Sequence, residues 1–173
     1  IKNDGLFLME RYINMGKKQG YAITTYCLRL RCNHPEWLEE TQKFYNQIQK
    51  FYYDLYLKHS ELWNENSQNA LRGLEVLSIP GSKREMVEEP LPWKEALLYF
   101  RRAAANAGIA AAKSYLARAE IKEYVGKTEN FHSAVTYYKG MYQELTENGI
   151  ELRVWTGMDW KWMHCRLSGR KIP

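Results

Sequence analysis

The apolar period changes once, at Pro35, and that change limits the folds open to this chain. Before it the period is two. Tyr26, Leu28 and Leu30 alternate with Thr25, Cys27, Arg29 and Arg31. This predicts a half-buried strand over residues 21–32, with two arginines about 7 Å apart on its polar face. Gly20 precedes the run and Asn33-His34-Pro35 ends it in turn chemistry. Beyond Pro35 the period is helical: Leu38, Thr41, Tyr45, Ile48, Tyr52, Leu55, His59 and Leu62 fall at steps of three and four. Pro35 suits a first turn, and Glu36, Glu39 and Glu40 suit the positive end of a helix dipole. Phe44, Phe51 and Tyr53 widen the stripe, so a helix over 35–63 needs neighbours on two sides. Aromatics at this spacing read as core rather than as platforms for bases.

The remaining segments follow from the same periodicities. A short helix is predicted over 69–77 on Ala70, Leu74 and Leu77, then a break at Ile79-Pro80-Gly81-Ser82 and a charged loop to Pro92. A third helix runs from near Pro92 towards Tyr124, with Leu97, Phe100, Ala104, Gly108, Ala111 and Tyr115 on one stripe. Its small residues admit a close helix neighbour, or Gly108 bends it. Lys94, Arg101, Arg102, Asn106 and Lys113 fill a neighbouring polar sector, either a phosphate-tracking face or ordinary surface. A short helix over 133–145 precedes a hairpin. In its first strand Ile150, Leu152 and Val154 oppose Glu151, Arg153 and Trp155. In its second, Met163, Cys165 and Leu167 oppose Trp160, Trp162, His164 and Arg166. That last face pairs aromatics with a cation, as single-strand binders do, or it packs under a helix. The order is strand, helical insertion, hairpin: an α+β chain.

Composition excludes several classes. With 45% apolar and 14% aromatic residues among 173, the chain is too rich for disorder and large enough to bury a core unaided. The blandest run, Ala103–Ala112, contains Asn106 and is flanked by Arg101, Arg102 and Lys113, which excludes a membrane span. With no signal-peptide order of segments, a cytoplasmic protein is expected. Cys27, Cys32 and Cys165 form no CxxC, and Cys32 with His34 is half a metal site lacking a second ligand pair, so reduced thiols and no metal are expected. The net charge of +5 is uneven: residues 1–33 carry +4, residues 150–173 carry +3, and the middle −2. If the ends meet, they form one cationic patch suited to a polyanion; apart, they are solvated surface. Three aspartates, four scattered histidines, and no P-loop, GxGxxG, GxSxG or HExxH leave the chain catalytically empty by itself.

The segment order resembles a known family: the transposon-encoded RNA-guided nucleases called TnpB, and the type V CRISPR effectors related to them. Residues 22–32 resemble the first strand of that family's wedge domain. Trp37–Leu57, with Phe44-Tyr45-Asn46, and Leu91–Ala105 are similar to its recognition helices. Val135–Met141 and Leu152–Trp162 resemble its return to the wedge. The resemblance implies a helical recognition bundle inserted into a small oligonucleotide-binding-like β-barrel, whole or partial. Its divisions would be an N-terminal extension at 1–20, the first wedge strand at 21–33, the recognition domain at 34–130, and a wedge return of short helix and hairpin at 131–173. It implies guide RNA and target DNA as partners, with Arg29, Arg31, Arg153, Trp155 and Arg166 facing RNA and Lys94, Arg101, Arg102 and Lys113 facing DNA. The RuvC carboxylates and zinc-finger cysteines of that family are not in these residues. The chain, starting at Ile1 with Met9 and Met15 downstream, therefore reads as a fragment or one piece of a split protein. A second chain would carry the nuclease half, and Mg2+ would belong there; no cofactor is expected in this chain. A helical protein-docking module and a nuclease-dead DNA-binding repressor are the alternatives.

Overall fold

A computed structural model describes residues 5–14, 21–81, 84–121, 126–146 and 148–169, with side chains from Leu28 onward. Lys2, Lys17, Lys18, Arg170 and Lys171, the thiol of Cys27, and the predicted helix end at 122–124 lie outside the described residues. The segment read as an extension contains a strand, β1 (Gly5–Asn14). It runs antiparallel to β2 (Tyr21–Cys32), in register from Gly5 opposite Leu30 to Asn14 opposite Tyr21. Three helices follow: α1 (Pro35–Lys58), α2 (Ser67–Ser78) and α3 (Leu98–Ile121), with a 3-10 turn over Ser60–Leu62. The chain then returns through β3 (Tyr142–Gln143), β4 (Gly149–Trp155) and β5 (Trp160–Ser168). The sheet is antiparallel and open, in the order β1-β2-β5-β4-β3. Helices are thus inserted between two blocks of one sheet, and the pairing of β2 with β5 brings the two basic ends of the sequence together.

Two cores meet along α1. The helical core is built from the predicted stripe of α1: Tyr45, Ile48, Tyr52 and Leu55 are buried, as are Phe100, Ala104 and Ile109 of α3. Burying this many tyrosines requires partners for their hydroxyls. Tyr45 donates to the Ala103 carbonyl at 3.1 Å, Tyr52 bonds Ser78 at 3.2 Å, and Tyr56 reaches the carbonyls of Leu62 and Trp63, both at 3.2 Å. The sheet core is Leu28, Leu30, Ile150, Leu152, Val154, Met163, Cys165 and Leu167, covered by Trp37, Leu38 and Tyr137. Thr41 joins the two. Its hydroxyl donates to the Trp37 carbonyl at 2.6 Å and accepts the Trp155 N–H at 2.8 Å, tying α1 to the end of β4.

Two expected helices differ. The third starts at Leu98, because Pro90 and Pro92 supply no amide N–H and Leu91–Leu97 turns instead. The segment 133–145 is not helical. Phe131, Ser133, Val135 and Tyr137 are half-buried while His132, Ala134 and Thr136 are exposed, the alternation of an extended strap. Asn46 holds it: its Nδ2 donates to the Ser133 carbonyl at 3.1 Å and its Oδ1 accepts the Ser133 N–H at 2.8 Å. Gln42 adds a bond to the same carbonyl. A side-chain amide here substitutes for the neighbouring strand that the extended segment lacks. No described helix is long and apolar enough to cross a membrane.

Candidate nucleic-acid interface

Over β2, β5 and β4, α1 and the strap cover one face of the sheet, and the polar positions of the described side chains in these strands lie on the other. Strand register decides which of them touch. Arg31 on β2 stands opposite Arg166 on β5, and Arg29 opposite Ser168. On the other side of β5, Arg166 stands opposite Gly149, His164 opposite Glu151, and Trp162 opposite Arg153. Arg29, Arg31, His164 and Arg166 are exposed. Directly opposed positions are about 5 Å apart, so the guanidinium groups of Arg31 and Arg166 share one patch of surface. Like charges so placed repel, and neither arginine has a carboxylate partner among the described residues. Gly149 leaves the neighbouring space to His164: a Cβ there would lie 2.9 Å from its ring.

The far end of the face is aromatic. The Arg153 guanidinium lies 5.3 Å from the centre of the Trp162 ring, and its Nε is buried without a partner among the described residues. Glu151 is the acidic residue of this face in β4 and β5, and Gln143 donates to its carboxylate at 2.8 Å. The result is a cationic stripe running from Arg29 to a half-buried indole.

Trp155 is not in that stripe. Thr41 pins its backbone, and its ring packs 5.2 Å from Phe44 and 5.5 Å from Trp160, within the helical core. Trp160 also leaves the face; its Nε1 donates to the Glu95 carbonyl at 2.7 Å. Period-two parity fails here because the hairpin end bends over α1, which alternation alone does not reveal.

The four residues assigned to DNA do not form one cationic face. Arg101, with only 13% of its side chain exposed, and Arg102, at 41%, converge on Glu75 of α2. Arg102 binds that carboxylate with two nitrogens, at 2.9 and 2.8 Å, and Arg101 with one at 3.0 Å. Burial by itself pushes the Glu75 carboxyl up, but the hydrogen bonds from Arg102 and Arg101 outweigh it and hold the group below the usual carboxylate range. Lys113 donates to the Glu65 carbonyl at 2.7 Å. Lys94 is exposed ahead of α3. Arg101 and Arg102 thus brace α2 against α3, a role that helical phase could not separate from binding.

Other chemistry is sparse. Cys32 and Cys165 stand opposite each other on the sealed face. Burial pushes both thiols up, Cys165 to about 12. His34 stacks on Trp37 at 4.0 Å and bonds Glu36. A cleft of about 480 Å³ lies between α1 and the strap, but the amides of Gln42 and Asn46 that line it are already engaged with Ser133.

An α+β module, with helices inserted between strands and a cationic outer sheet face, is the class these features define. The chain belongs to the Aq_aa04 family, whose sequence profile matches residues 22–156. The match spans β2, the helical insertion, the strap, β3 and β4; Arg29, Arg31 and Arg153 lie inside it, Trp162, His164 and Arg166 beyond it. Among curated proteins and solved structures, none matches the chain.

Proposed function

We propose that this protein binds structured RNA through the outer face of its sheet, as the guide-RNA- and target-DNA-binding part of an RNA-guided DNA endonuclease of the TnpB and type V effector kind. The observation that carries the reading is the opposition of Arg31 and Arg166 on a solvated face. Two guanidinium groups that repel one another in the free protein are relieved when a phosphate lies between them. Arg29 extends the phosphate track, and Trp162 beside Arg153 offers a plane for an unstacked base at its end. On this reading the open sheet is an incomplete oligonucleotide-binding-like barrel, and the RuvC-like half with its Mg2+ is contributed from outside these residues. Support for the DNA side is narrower. It rests on Lys94, since Arg101, Arg102 and Lys113 are engaged within the helical body.

Fluorescence anisotropy with a labelled RNA hairpin tests the reading. The wild type is expected to bind with affinity falling linearly in log salt. Replacing both Arg31 and Arg166 with serine should weaken binding about tenfold or more and reduce the slope by about two, one for each lost phosphate contact. Equal affinity and slope in the variant would remove the sheet face from RNA binding. Binding to a protein partner with little salt dependence would favour the docking-module alternative.

A further inference from the structure

At the opposite end of α1 from the sheet, three side chains converge that the RNA reading does not use. His59 caps the C-terminus of α1 and is 8% exposed. Its Nδ1 bonds the Glu61 carboxylate at 2.8 Å, while Nε2 is buried with no hydrogen-bond partner among the described residues. A ring nitrogen of His59 and a carboxylate oxygen from each of Glu88 and Glu89 lie within 4.8 Å of one another. With Nδ1 occupied, Nε2 is the nitrogen left to complete that group. The loop that carries the acids is fixed: the Glu89 N–H donates to the Leu77 carbonyl at 2.9 Å, and the Leu91 N–H to the Ser78 carbonyl at 3.0 Å.

We infer that His59, Glu88 and Glu89 bind a divalent transition-metal ion. A buried imidazole nitrogen without a partner is costly, and a metal satisfies it. The carboxylate on the other ring nitrogen is the outer-shell arrangement that orients metal-binding histidines and fixes their tautomer. One nitrogen and two carboxylate oxygens suit zinc, manganese or cobalt better than calcium or magnesium, which prefer oxygen alone. Ligand atoms around zinc sit about 3.4 Å apart, a spacing within the 4.8 Å limit that bounds these three atoms. The site also lies at the negative end of the α1 dipole, which favours a cation. Lys58 bonds one carboxylate oxygen of Glu89 and leaves the other for the metal.

Titrating the full chain with Co2+ tests this. The expected result is one equivalent bound, giving visible d–d bands with no sulfur-to-cobalt charge-transfer band, and displaced by Zn2+. Replacing Glu88 and Glu89 together by glutamine should weaken binding at least tenfold while leaving the Tm without metal within a few degrees, since Glu88 is exposed and the ion pair that Glu89 makes with the exposed Lys58 is of the weak surface kind. His59→Gln should do the same; should that variant fail to fold, the glutamate pair decides. Absence of the bands, a thiolate band, or equal affinity in the glutamine variant would overturn the assignment.

Discussion

Gly108→Leu is expected to yield no folded protein, and Gly108→Ala to lower stability by about 2 kcal/mol although alanine is the better helix former. At Gly108, α3 touches the backbone of α1. A Cβ there would stand 2.7 Å from the Gln49 carbonyl oxygen, 3.0 Å from the Tyr53 nitrogen and 3.4 Å from the Tyr52 carbonyl carbon. These are main-chain atoms within a continuous helix, so no side chain can swing away. Relief requires the two helices to separate, which opens the core around Tyr52, Ile109 and Phe100. Alanine in place of an interior glycine gains about 1 kcal/mol in propensity. Overpacking a closed core costs about 1–3 kcal/mol and more when backbone must move, so the steric effect wins. Thermal denaturation should show Gly108→Ala melting about 4–8 °C lower. A Tm equal to or above wild type would show that α1 and α3 are not in contact at this point.

Glu75→Gln is expected to cost about 2–3 kcal/mol, and Arg102→Ala less than about 1 kcal/mol. The asymmetry comes from exposure. Glu75 is 15% exposed and serves both arginines, so neutralising it leaves the largely buried Arg101 charge uncompensated. Arg101 is already marginal, with its Nε buried and unpartnered among the described residues. Arg102 is exposed enough for water to replace its contacts. The pair also sets a pH dependence. The folded pKa of Glu75 lies below the ordinary value of 4.5, so its contribution is complete above about pH 4.5 and disappears as pH falls through the folded value. A protonated glutamate resembles glutamine. The stability difference between wild type and Glu75→Gln should therefore be full at pH 7 and shrink progressively below pH 4.5. A difference independent of pH would mean that the charge of Glu75 is not what joins α2 to α3.

Much of this architecture was legible because it depends on local periodicity. The change of period at Pro35 marks where β2 ends and α1 begins, and the stripe from Thr41 to His59 is the stripe that is buried. Ala104 and Gly108 pointed to a close helix neighbour, which α1 supplies. What escaped depends on distant partners. The strap over 131–137 is extended because Asn46, far earlier in the chain, satisfies Ser133, although alternation from Phe131 to Tyr137 was a readable hint. Strand β1 is defined by its pairing with β2, a distant relation that no local period displays. Trp155 kept the parity of an outward residue while the hairpin end folded over α1. Glu88 and Glu89 fall within what reads only as a charged loop, because His59, which they meet, lies on another element. Arg101 and Arg102 read as a binding face because Glu75 sits on another helix. Charge placement was legible only as an imbalance between ends; the register of β2 against β5 turned it into one surface.

The most direct test of that surface is photocrosslinking of the full chain to a 4-thiouridine-substituted RNA hairpin, with the adducts mapped by mass spectrometry. The account predicts adducts on the β5 peptide bearing Trp162 and His164, diminishing as salt is raised. Adducts confined to the helical body around 94–113, or none at low salt, would contradict it.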